Sequence, residues 1–212
     1  MDWVNLGSSR QRASRIRNFK LIMKKIDIHF HHTELNKKSI RYFARFIIQY
    51  GTYQDKINVG GKSISYEHCS INMGQHTFES TGKSGNTKTN SNLWFKHIKK
   101  ETRIDKVTIE VTDEQWTLIY NNLLHWVGKG RYSILLAMFS EIEDWGIIPK
   151  FIKRKIYKSM RGRNKFHFCS KYIQMSLVVV KIVKMTNLFT PNELAKALLS
   201  KGHNLDYDYK NG

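Results

Sequence analysis

Cys169, His68 and Glu79 are the three residues of this chain whose types fit together as a reaction centre. A thiolate is a strong nucleophile, an imidazole can hold and return its proton, and a carboxylate behind the ring fixes the ring's orientation. His68 and Glu79 stand in one run, Ser65 to Ser80, which reads as two strands around Gly74-Gln75-His76. Facing residues of an antiparallel pair lie about 4.5–5.5 Å apart at Cβ, so Glu79 can reach back to the His68 ring. Cys169 follows Phe166-His167-Phe168 and opens an expected helix. The positive end of a helix dipole and a nearby imidazolium both favour the thiolate. By spacing alone the signal is weak: a lone histidine on a strand is more often structural, and a lone buried cysteine is usually an inert small hydrophobe.

These residues need a scaffold, and the hydrophobic periodicity outlines one. Ile26, Ile28 and Phe30 alternate through Lys25–His31 as a half-buried strand. Ile40, Phe43, Ala44, Ile47 and Ile48 fall at helical spacing between Leu35 and Ile48, with Gly51 as a stop. Residues 82–92 read as a polar loop without an apolar anchor, Leu93–His97 as a short strand, and Lys106–Val111 as another. Thr112 and Gln115 form a capping box for a helix carrying Trp116, Ile119, Leu123 and Trp126 on one stripe, ended by Gly128. Further helices are expected over Tyr132–Trp145 and Ser170–Lys184. Another starts at Thr190-Pro191-Asn192-Glu193, where a Thr cap, Pro at the first position and Glu at the third coincide, and ends near Gly202. Mixed strands followed mostly by helices make an α+β layout, a small antiparallel sheet packed against helices. The expected division is a basic N-terminal arm (1–25), one domain (26–205) and a polar tail (206–212).

Composition bounds the function. The 212 residues are 41% hydrophobic and 12% aromatic, which supports a packed core rather than disorder. Leu177-Val178-Val179-Val180 is the longest apolar run and Lys181 cuts it, so no membrane span is expected. The N-terminus lacks the apolar segment of a secretory signal, and a cytoplasmic location in the producing or infected cell is the expectation. Two cysteines exclude a disulfide scaffold. His29, His31 and His32, with only Glu34 nearby, make a poor zinc set; no metal and no cofactor are expected. A net charge of +19 is concentrated in Arg10–Arg17 and in Lys150–Lys165. Such clusters attract nucleic acid or another anionic partner. An AT-rich coding sequence, which favours Lys, Asn and Ile, produces the same excess without a binding role.

Three segments together resemble the circularly permuted branch of the NlpC-type papain-like cysteine hydrolases, including uncharacterised phage members. Tyr66-Glu67-His68-Cys69-Ser70-Ile71 is similar to the His strand of that branch, and Gln75-His76-Thr77-Phe78-Glu79-Ser80 to the acidic strand after its Gly turn. Phe168-Cys169-Ser170-Lys171 resembles its Phe-Cys-Ser-Glu-type helix start, and the order His before Cys suits the permuted form. Ile40–Phe46 and Phe189–Ala195 are similar to the flanking helices, so the resemblance covers about residues 26–200. Glu67 stands where Ser is commoner and Lys171 where Glu is commoner, which leaves the substrate class open. The resemblance implies a thiol hydrolase of peptide, amide or ester substrates, or a related acyltransferase. Cys169 would attack, His68 would move the proton and Glu79 would orient the ring, with the Cys169 backbone N–H as oxyanion donor. Against this stands a basic binding protein on the same fold, without turnover.

Overall fold

In the computed structural model, which describes residues 23–32, 56–59, 61–98, 103–129, 131–132, 166–184 and 190–207, the alternation around Ile26, Ile28 and Phe30 becomes a ten-residue strand, β1 (Met23–His32). There follow β2 (Ile57–Val59), β3 (Lys62–Ile64), β4 (Tyr66–Met73), β5 (His76–Thr81), β6 (Gly85–Asn90) and helix α1 (Ser91–His97). The second half holds β7 (Ile104–Thr112), α2 (Asp113–Trp126), β8 (Arg131–Tyr132), β9 (Phe166–His167), α3 (Cys169–Val179), α4 (Pro191–Leu199) and β10 (Leu205–Asp206). Six strands form one antiparallel sheet in the order β10-β7-β1-β4-β5-β6. Strands β2 and β3 pair with each other, as do β8 and β9. Among the described residues no helix is long and apolar enough to cross a membrane.

The two faces of the sheet differ in chemistry. One carries Ile26, Ile28, Phe30, Cys69, Ile71, Met73, Phe78, Val107, Ile109 and Val111, all buried, and packs on Ile119 and Leu123 of α2, Ile173 and Leu177 of α3, and Leu194 and Leu198 of α4. The other is polar. Register sets Asp27 beside Asn72, His29 beside Ser70, His31 beside His68, and Ser70 beside Glu79. Helix α1 covers part of it, with His29 stacked on Trp94 at 5.3 Å and edge-on to Phe95.

A bulge separates these faces at the start of β4. His31 pairs with His68 but His32 pairs with Tyr66, so Glu67 is an extra residue. The insertion turns Tyr66 onto the apolar face, where its ring lies 5.1 Å from Phe30 and its hydroxyl donates to Asp105 Oδ2 at 2.6 Å. His32 meets the same carboxylate at 2.8 Å, and the Tyr66 N–H donates to Asn192 Oδ1 of α4 at 2.8 Å. His68 therefore follows a pinned irregularity rather than a free strand end.

Both capping boxes form as expected, at Thr112–Gln115 and at Thr190–Glu193 with Pro191 at the helix start. Helix α3 begins one residue earlier than expected and stops at Val179. There Lys181 adopts a left-handed backbone (φ 59°) and the Lys181 and Ile182 N–H groups bond Val178 and Leu177 carbonyls.

Two expectations are corrected. Residues 85–90, read as loop, form the polar edge strand β6; a strand at an edge gains its order from backbone pairing with β5, which leaves no apolar signature. Leu93–His97, read as a strand, belongs to helix α1, because Asn90 caps the N–H groups of Asn92 and Leu93 at 3.0 and 3.4 Å. In so short a run, alternation and helical spacing look alike. The expected Leu35–Ile48 helix, most of the Tyr132–Trp145 helix, and the basic segments Arg10–Arg17 and Lys150–Lys165 lie outside the described residues.

The β4–β5 turn carries its own prediction. Gly74 has φ +66° at the first central position of a two-residue turn, which suits a type II′ hairpin. A Cβ there meets nothing within 4 Å, so only backbone strain opposes a side chain. Gly74→Ala is expected to lower stability by about 1–3 kcal/mol in urea unfolding, with an unchanged slope.

Candidate active site

Pairing between β4 and β5 runs from Met73↔His76 to Ser70↔Glu79 and goes no further; Ser80 and Thr81 pair only with β6. Helix α3 packs against both strands at that divergence. Its first residue, Cys169, is buried, and its thiol interacts electrostatically with the neighbouring ring of His68. His68 lies two residues beyond Ser70, on the same face as Glu79, and its Nε2 is 3.1 Å from Glu79 Oε2. The three residues singled out in the sequence thus lie in one series, with the Cys169 thiol beside the His68 ring and Glu79 hydrogen-bonded to that ring.

Each member is held from behind. The Tyr172 hydroxyl, one turn below Cys169, donates to the Leu123 carbonyl of α2 at 2.7 Å, and Ser176 Oγ bonds Asn122 Oδ1 at 3.1 Å. Glu79 also accepts from the Trp94 side chain, and the rings of His31 and His68 meet edge to face at 5.0 Å. His31 in turn contacts Trp94 at 5.6 Å. Four side chains, His68, Glu79, Trp94 and His31, close a ring that leaves the imidazole little rotational freedom.

The electrostatics follow from these contacts. Burial works against a charged His68, but the Cys169 thiolate and the Glu79 carboxylate outweigh it and raise the ring to about 10. Cys169 is held well below the usual thiol range. A hydrogen bond from the Cys69 thiol contributes most, burial opposes it, and the His68 charge and the Cys69 backbone N–H add to it. Burial pushes the Cys69 thiol well up, with Cys169 adding to the shift, so Cys69 is the donor of the pair. Glu79 is lowered: burial opposes ionisation, and the bonds from His68 and Trp94 overcome it. These directions favour a thiolate–imidazolium pair with the Glu79 carboxylate behind the ring.

The first turn of α3 bears no acidic residue, and its cap, Phe168, offers no side-chain acceptor. The helix start thus lacks a side-chain cap, and the positive end of its dipole falls at Cys169.

Other candidates resolve differently. Tyr66 turns its hydroxyl to Asp105, away from Cys169. His76 sits at the turn end of the hairpin, where its Nδ1 is 3.2 Å from the Tyr120 hydroxyl. His29 is buried and driven down to about 4, chiefly by desolvation, and stays neutral. Among the described residues no group of three or more His, Cys, Asp or Glu could hold a metal ion. Trp116 stacks on Tyr120 at 4.9 Å under Lys24, half-buried rather than core.

Two participants escape sequence reasoning. Trp94 was hidden in a five-residue run of ambiguous period; Asn90-Ser91-Asn92 before it is the helix-start signal that locates it. Cys69 reads as filler because its neighbour His68 points to the opposite face. Cys169, on a helix that packs against both β4 and β5, interacts with both neighbours. Comparison with protein-family models, with curated proteins and with solved structures finds no match for this chain.

Proposed function

We propose that this chain is a thiol hydrolase or acyl-transfer enzyme of the permuted NlpC-type papain-like kind, acting on a peptide, amide or ester carbonyl. The observation that supports this reading is the series in which Cys169, at a helix start without a side-chain cap, lies beside His68 and Glu79 is hydrogen-bonded to that ring. Cys169 attacks the carbonyl carbon, and the oxyanion is met by the first N–H groups of α3. The His68 imidazolium gives its proton to the leaving amine or alcohol, producing an acyl-thioester on Cys169. Neutral His68 then takes a proton from the incoming water, or from another acceptor, and the thiolate is released. Glu79 and Trp94 keep the ring oriented through both half-reactions.

The test is acylation. On mixing with an activated ester, intact-mass measurement is expected to show one acyl group on Cys169, formed in a burst and lost on standing; Cys169→Ala abolishes it. Acylation of Cys69 to the same extent, or none at either thiol, would count against the proposal. The net charge of +19 favours a second reading, a cationic binder of nucleic acid. It requires affinity that collapses between about 50 and 200 mM salt and is indifferent to Cys169→Ala.

A further inference from the structure

Cys69 and Cys169 are the only cysteines of the chain. Both are free and buried in one core cluster, on a helix and a strand that pack together, and the two thiols interact electrostatically as neighbours. Cys69 is fully enclosed on the apolar face, opposite Phe30 of β1, and Cys169 is 3% exposed. The His68 side chain, 22% exposed, is the open side of this group. The acyl-transfer chemistry forms its covalent bond on one sulfur; the second helps hold Cys169 as the thiolate but takes no covalent part. Packing on that face would be served equally by Val or Ala, which carry no oxidisable atom.

We propose that Cys69 is a resolving thiol, and that Cys69 and Cys169 are a modification site which peroxide converts to an intramolecular disulfide, switching off the nucleophile reversibly. That the bond switches off an enzyme rests on the acyl-transfer reading; that the bond forms does not. Two features select the chemistry. Cys169 is the sulfur favoured as the thiolate, hence the one that a peroxide oxidises. The second thiol is its neighbour, so the oxidised sulfur is captured before a further oxygen adds.

The steps balance. The Cys169 thiolate attacks one oxygen of hydrogen peroxide and breaks the O–O bond. The other oxygen leaves as water after taking the His68 proton, and Cys169 becomes a sulfenic acid. The Cys69 sulfur then attacks the Cys169 sulfur, the S–O bond breaks, and the hydroxyl departs with the Cys69 proton as a second water. Two thiols are oxidised and one peroxide is reduced. The neighbouring sulfurs close to a bond of about 2.05 Å.

Intact-mass measurement under denaturing, non-reducing conditions tests this on the full chain treated with hydrogen peroxide. The expected product is a monomer lighter by two hydrogens, with no free thiol and with both thiols recovered in dithiothreitol. In Cys69→Ala and Cys69→Val, two variants that change the core differently, Cys169 is expected to gain two or three oxygens that dithiothreitol does not remove. Wild-type protein that gains oxygens on Cys169 while Cys69 stays free would overturn the proposal. So would a disulfide found only between chains. Ester acylation of the same protein separates the two readings. A protein that esters acylate on Cys169 but in which peroxide forms no disulfide sinks the switch alone, whereas a disulfide in a protein that esters do not acylate sinks the enzyme alone.

Discussion

His68→Ala is expected to change the pH dependence of Cys169 alkylation from flat to steep. In the wild-type protein Cys169 ionises well below the ordinary thiol range and His68 holds its proton up to about 10. The signs bound a window: the pair is lost on acidification through the lowered thiol value, and lost on alkalinisation through about 10. Between these limits the thiolate fraction is constant, so the rate with iodoacetamide should scarcely vary with pH. Without His68, burial acts on Cys169 with one fewer compensating charge while the Cys69 interaction remains, so its ionisation moves back up. The rate should then rise with pH across the neutral range, following the thiolate fraction. The profile is a better measure than one rate, because a more basic thiolate is also more nucleophilic. Cys69 provides the internal reference, slow throughout. A flat profile in His68→Ala would mean that the Cys69 contact and the helix end suffice, and His68 would lose its assigned role.

Phe30→Ala should cost about 3–5 kcal/mol of folding stability. Phe30 is fully enclosed on a central strand, between β4 and β7, with Cys69 and Asp105 as its strand partners and the Tyr66 ring 5.1 Å away. Removing the ring leaves a cavity bounded by the bulge and by the two-cysteine contact, and the sheet cannot close over it from either neighbour. Since domains are stable by about 5–15 kcal/mol, much of the folded population is at stake. Phe30→Leu retains most of the apolar volume and should cost clearly less. Urea unfolding followed by tryptophan fluorescence reads both variants. Equal costs for Leu and Ala would show that ring packing on Tyr66, rather than filled volume, carries the effect.

Helix starts with dedicated chemistry were readable residue by residue. The boxes at Thr112 and Thr190 are local hydrogen bonds between residues three apart, so spacing alone specifies them. Strands β1, β4, β5 and β7 were legible because one face of each is apolar and the period is two. The polar strand β6 was not, since its partner is β5 and the evidence for it lies in another part of the chain. The bulge at Glu67 leaves no trace in residue type, and it alone decides that Tyr66 joins Phe30 and Asp105 while His68 faces Glu79.

Residue order by itself determined that a hairpin would carry His68 and Glu79 and that Cys169 would head a helix, because turns, caps and alternation are short-range effects. It also determined the strongly cationic balance. Tertiary structure decided everything that depends on strand register and on where pairing stops. It set the divergence of β4 from β5, the seating of α3 against both strands, the Trp94 bond to Glu79 and the meeting of two thiols 100 residues apart in sequence. Contacts between distant segments arise from the packing of whole elements, and no local pattern of side chains encodes them.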